Sequence, residues 1–153
     1  MEFIQTVSEE IRQAMTITKP RLMEISAQRA SQKLSPDAWS KQEILGHLID
    51  SALINHQRFV RGAFDLAEYF PGYEQNRWVM IQNYNARNWA ELIEFWVLCN
   101  RHLSLMLDCL PTDAQNNLCN IGQEAPVPLS FVITDYVRHL KMHLEQILED
   151  TTG

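Results

Sequence analysis

WSKQEILGHLIDSALINHQRFVR, residues 39–61, opens with the clearest helix start in the chain. The Ser40 hydroxyl can accept from the backbone N–H of Glu43, while the Glu43 side chain reaches back to the Ser40 N–H, a reciprocal capping box. Trp39 before the cap and Ile44 after it supply the accompanying hydrophobic staple. Past the box the apolar positions recur with helical period, so the spacing predicts a helix to about Arg61.

Working outward, the same period covers most of the chain. Upstream, a first helix is expected from about Glu2 to Ala27, with Phe3, Val7, Ile11 and Met15 on one face and Pro20 kinking or breaking it. SQKLSPDAWS, residues 31–40, is rich in turn formers and reads as a connection. Downstream, EYFPGYE breaks the chain and a shorter helix follows near Gln75 to Tyr84. NWAE offers a second box, with Asn88 as cap and Glu91 three residues on, for a helix reaching about Leu110, where Pro111 stops it. Residues 111–128 form a long loop with room for a short hairpin, and a last helix runs from about Ser130 to Asp150. The expected fold is all-α: an antiparallel four-helix bundle, one domain over residues 1–153, with a long loop before the last helix.

Composition narrows the function classes. Net charge is −6, with no block of Lys or Arg, so the electrostatic footprint of a nucleic-acid binder is missing. No apolar run approaches the roughly 20 residues of a membrane span, and the acidic, amphipathic start MEFIQTVSEEIRQ is unlike a signal peptide. Cys99, Cys109 and Cys119 are an odd number at spacings that match no zinc motif; reduced thiols in a cytoplasmic protein are the simplest reading. The 5 glycines form no phosphate-cradling loop.

DYVRHLKMHLEQI, residues 135–147, carries His139 and His143 one helical turn apart. On a helical wheel both fall on the apolar arc with Val132, Tyr136, Leu140 and Ile147, while Thr134, Arg138, Lys141, Glu145 and Glu149 gather opposite. Two imidazoles so spaced can reach one ion, and two hydrogen-bonded core histidines would look the same. Further ligands would have to come from His47, His56 or His102. His47 and His56 are nine residues apart on opposite faces of one helix, and periodicity does not choose between them. His56 lies among Leu45, Leu48, Ala52 and Phe59, whereas His47 shares a polar strip with Glu43, Asp50, Ser51 and Arg58 that composition alone makes the solvent face. His102, near Phe95, Cys99 and Met106, reads as a packed core histidine.

The tryptophan-led capping box with a histidine eight residues after the tryptophan, followed late in the chain by H-x-x-x-H, resembles the DinB-like (YfiT-like) superfamily, in length and helix order over nearly the whole chain. These small four-helix bundles include metal-dependent hydrolases and thiol-dependent S-transferases. The resemblance implies a divalent metal held by one histidine of the second helix and two of the last, here His47, His139 and His143. It leaves His56 as a packing or interface residue, and it implies a homodimer, for which the arc around Leu45, Ile49 and His56 is a candidate face.

Three neutral imidazoles leave an ion its full charge and an open position, as in catalytic zinc sites. Such an ion can activate water for hydrolysis or hold a low-molecular-weight thiol as its nucleophilic thiolate. Imidazole ligands suit Zn, Ni, Fe or Cu. Asp50, three residues after His47, and Asp135, four before His139, are candidates to orient the imidazoles, and Arg58 to meet an anionic group on a small-molecule substrate. Tyr84 and Asn85 lie where a loop could overhang the site, and the four tryptophans read as packing residues. The expected function is a metal-dependent thiol S-transferase or related hydrolase; the alternative is a non-catalytic bundle that keeps the site for metal or ligand binding.

Overall fold

The computed structural model describes residues 2–64 and 68–149. Its helices are α1 (Phe3–Met23), α2 (Ala27–Ser31), α3 (Lys41–Phe64), α4 (Gln75–Gln82), α5 (Trp89–Asp108) and α6 (Leu129–Leu148), with short strands β1 (Glu68–Tyr69), β2 (Leu118–Asn120) and β3 (Val127–Pro128). The expected end of the last helix at Asp150 lies outside the described residues. The capping box at the head of α3 forms in full: Glu43 N–H donates to Ser40 Oγ at 3.1 Å and Ser40 N–H to Glu43 Oε1 at 3.0 Å. At α5 the Asn88 side chain accepts from Glu91 N–H at 2.9 Å. Pro20 sits inside α1 without ending it; the helix stops at Met23 rather than Ala27, and Ser26 caps the separate turn α2.

α1, α3, α5 and α6 make the four-helix bundle. Each of α1 and α3 packs on both α5 and α6. Contacts along the axes fix the directions. Ser8 bonds to Ser104 and Trp89 to Leu22, so α1 and α5 run antiparallel. The Lys41 ammonium reaches the Ile147 carbonyl and Gly62 meets Leu129, so α3 and α6 do too. His56 bonds to His102 while Gln42 bonds to the Arg87 carbonyl, so α3 and α5 run parallel. α4 carries the chain back along α3 to allow that parallel pair. The core draws on all four helices, with Ile11, Leu22, Leu45, Ile49, Phe59, Trp96, Leu107 and Ile133 among its most buried members.

At the end where α3 stops and α6 starts, β2 pairs antiparallel with β3, the short hairpin expected in residues 111–128, and parallel with β1. Asn117 Nδ2 donates to the Gly62 and Ala63 carbonyls at 3.0 Å each, satisfying acceptors that the end of α3 leaves open. None of the described helices is long and apolar enough to cross a membrane.

Candidate metal centre

Antiparallel packing brings the second turn of α3 against the second half of α6, and this joins His47 to His139 and His143. His47 Nε2 lies 3.2 Å from His139 Nε2, which lies 3.1 Å from His143 Nε2. The ring centroids are 4.4–5.0 Å apart with the planes near edge-on, and one ring nitrogen from each histidine lies within 4.8 Å of the other two. Ligand nitrogens around a tetrahedral ion bound at about 2.0–2.1 Å lie roughly 3.3 Å apart, so the spacing and donor set fit one divalent cation. One proton can serve only one N···N contact, whereas a cation serves three lone pairs together.

His47 is fully buried, and His139 and His143 are half-buried. Burial, then the neighbouring imidazoles, lowers His47 to about 4. His139 falls to about 4 for the same two reasons, against an opposing pull from Asp135. Both are therefore neutral at physiological pH, the ligand form of imidazole. His143 Nδ1 lies 3.0 Å from Gln146 Oε1, which can only accept, so Nδ1 carries the proton and Nε2 keeps its lone pair for the centre. Gln146 was not anticipated, although a position one turn beyond His143 is the natural place for such a partner.

The polar strip on α3 is not a solvent face. His47, Asp50, Ser51 and Asn55 are all buried, and Arg58 is half-buried. Asp50 bonds to none of the three histidines: Tyr84 donates to its Oδ1 at 2.6 Å and Gln82 Nε2 to its two oxygens at 2.9 and 3.0 Å. Burial raises the Asp50 carboxyl, partly countered by those bonds. Tyr84 is thus a core residue that ties the turn after α4 to α3, and Asn85 meets Ser40 Oγ at 2.5 Å; neither overhangs the centre. Asp135 is exposed and paired with Arg138 at 2.8 Å. His102 is exposed rather than packed in the core, and Leu45 and Ile49, offered above as an interface, are fully buried within the bundle.

A cavity of about 200 Å³ leads away from His139 between α3 and α6. Ser51, Asn55 and Arg58 form one wall, Val132, Asp135 and Tyr136 the other, and Phe70, Gly72 and Tyr73 close it over. Arg58 Nη2 donates to the Pro71 carbonyl at 3.1 Å, which aims the guanidinium along this wall, facing Tyr73 and Asp135. Burial drives Tyr73 up to about 12. Trp39 packs against the cluster, its ring centroid 4.9 Å from that of His47 and 6.5 Å from that of His143. Tyr73 escaped the sequence reading because nothing in the pattern of EYFPGYE says which way that loop folds.

The fold and the cluster define a four-helix-bundle protein with a three-histidine candidate metal centre. The sequence profile of the DinB superfamily matches residues 10–147, and the chain belongs to that superfamily. Among solved structures it is similar to YfiT from Bacillus subtilis, described as a probable metal-dependent hydrolase with an unusual four-helix bundle topology. The TM-score is 0.83 at 12% identity over 94% of this chain and 83% of that one. It is also similar to a mycothiol-dependent maleylpyruvate isomerase, with a TM-score of 0.75 at 12% identity over 96% of this chain; it spans 63% of that protein's length. No match is found among curated proteins.

Proposed function

We propose that the chain is a metal-dependent enzyme, a single domain over residues 1–153, in which His47, His139 and His143 hold a divalent ion, Zn, Ni or Fe. The observation that carries this reading is the convergence of three imidazoles, His139 Nε2 lying 3.2 Å from His47 Nε2 and 3.1 Å from His143 Nε2, with His139 at the wall of a cavity. Such an ion supplies Lewis acidity that favours the deprotonated form of a thiol or of water. The chain does the rest. Arg58 offers a fixed cation for an anionic group of a small-molecule substrate, Asn55 and Ser51 offer polar contacts beside it, and Trp39 and Tyr73 shield the histidines from bulk water.

Between the two chemistries, the surroundings favour thiol S-transfer over hydrolysis. Among the described residues no carboxylate bonds to any of the three histidines: Asp50 is committed to Tyr84 and Gln82, and Asp135 to Arg138. A positioned base speeds hydrolysis by taking a proton from water, whereas a thiol, already far more acidic than water, gains less from one beside the cation. The dependence of a structural relative on mycothiol is in keeping with this choice. A homodimer and a cytoplasmic location belong to the same reading; three free cysteines support the latter, and apolar side chains exposed along α3 and α5 support the former.

The test is metal analysis by mass spectrometry on tag-free protein purified without chelator, beside His143→Ala. About one ion per chain, lost in the variant, followed by turnover of electrophiles only when a low-molecular-weight thiol is present, is the expected result. No retained metal in the wild type, even after incubation with zinc or nickel, refutes it. Metal retained without thiol-dependent turnover selects the non-catalytic binding bundle.

A further inference from the structure

The two histidines outside the centre form a second pair. His56 Nε2 lies 3.2 Å from His102 Nε2, the spacing seen within the three-histidine cluster. Each is the other's only hydrogen-bond partner among the described residues. His102 is exposed and His56 half-buried, on the outer surface where α3 and α5 lie side by side and parallel. With the two Nε2 atoms turned toward each other, the geometry offers one ring nitrogen from each helix to a shared ion. Two donors are half of a tetrahedral set.

What surrounds the pair is apolar and uncovered. On α3, Leu53 is 45% and Phe64 69% exposed; on α5, Phe95, Leu98 and Leu105 are 40%, 57% and 55% exposed. At helical spacing Leu53, His56, Val60 and Phe64 share one face, as do Phe95, Leu98, His102 and Leu105. The two stripes therefore join into one surface with the histidine pair inside it. In a two-fold pairing of like surfaces, each residue near the axis meets its own copy. A pair of histidines on that axis becomes four, a full tetrahedral set, while the leucines and phenylalanines around it are covered.

We propose that His56 and His102 are half of a second divalent-metal site, distinct from the bundle-end centre, completed by the same two residues of a second copy of the chain. The ion is one of the borderline cations that imidazole prefers, zinc first, and it serves as a clasp between copies rather than as a catalytic centre: four protein ligands leave no open position. The second pair of ligands rests on the homodimer reading above; the pairing of His56 with His102 does not.

The experiment is a zinc titration of metal-stripped wild type, His102→Gln, His56→Gln and His143→Ala, followed by calorimetry and light scattering. His102 is exposed, so its variant tests the site without disturbing the core. The expected wild type takes one ion per chain at the bundle end and one more for every two chains, and zinc tightens its self-association at least about tenfold relative to chelator. Both glutamine variants lose the shared ion and the zinc effect on mass but keep the first ion; His143→Ala does the reverse. Equal zinc uptake by wild type and His102→Gln overturns the proposal, as does a second ion bound once per chain without change of mass. Failure of the bundle-end reading registers separately, as unchanged uptake in His143→Ala.

Discussion

Gly46→Ala probes how the structure around the candidate centre is locked. A Cβ at position 46 would stand 2.2, 2.3 and 2.6 Å from Cδ2, Cγ and Cε2 of Tyr84, so one of the two must move. The ring has little freedom. Its hydroxyl donates to Asp50 at 2.6 Å, and its own carbonyl accepts from Gln42 Nε2 at 2.7 Å. Overpacking of this kind costs about 1–3 kcal/mol. Displacing the phenol from the buried carboxylate adds about 1.5–3 kcal/mol. Alanine in place of glycine within a helix returns about 0.5–1 kcal/mol. The net loss is roughly 2–5 kcal/mol, a drop in Tm on the order of 10 °C for a chain of this size. Urea unfolding of metal-free protein followed by circular dichroism measures it. In a Tyr84→Ala background the obstruction is gone and only the helix term survives, so Gly46→Ala becomes stabilising by up to about 1 kcal/mol. A single-variant loss under about 0.5 kcal/mol, or the same sign in both backgrounds, refutes the argument.

Three further outcomes follow from the same structure. Metal-free protein loses stability as pH falls from 6.5 toward 4, because His47 and His139, lowered to about 4 in the fold, take up protons more readily when unfolded. Buried His47 alone contributes about 2 kcal/mol of that loss by pH 5, and urea midpoints independent of pH over this range contradict it. Ser40→Ala removes the acceptor for Glu43 N–H and the contact to Asn85, costing about 1–2 kcal/mol by the same unfolding assay. Arg58→Leu leaves metal content intact but raises the concentration of an anionic substrate needed for half-saturation roughly tenfold to a hundredfold, and leaves neutral substrates unaffected.

The helix starts were legible because their signals are local. Ser40 and Glu43, or Asn88 and Glu91, meet across a single turn whatever the rest of the chain does. Directions and neighbours were not, because they depend on where connections travel: nothing in residues 65–88 announces that α4 runs back along α3. The histidines show the same limit. His102 was placed in the core because Phe95, Cys99 and Met106 surround it on the wheel, yet α5 has apolar residues on two arcs. Leu92, Trp96, Leu103 and Leu107 face inward, while Phe95, Leu98 and Leu105 face out. A wheel finds arcs and cannot say which one is covered. The polar strip on α3 failed in the opposite sense, and there the family resemblance singled out His47 where hydropathy pointed to solvent.

That strip also separates what the fold needs from what a ligand would need. Burying polar groups in a bundle is costly unless each finds a partner. Asn55 finds one in the Ser51 carbonyl at 2.8 Å, and Asp50 finds two in Tyr84 and Gln82. His47, equally buried, finds none outside the cluster: its Nε2 meets only His139, and its Nδ1 has no hydrogen-bond partner among the described residues, a condition shared with Trp96 Nε1 alone. Trp96 can bury its large apolar surface in compensation. A fully buried imidazole whose Nδ1 has no partner lacks that large apolar surface, and an apolar residue in its place is expected to make a more stable bundle. The histidine is therefore explained by what its Nε2 can hold, and replacing His47 with leucine in metal-free protein should stabilise the fold while abolishing metal uptake. Loss of both stability and uptake in His47→Leu would mean that the histidine serves packing first.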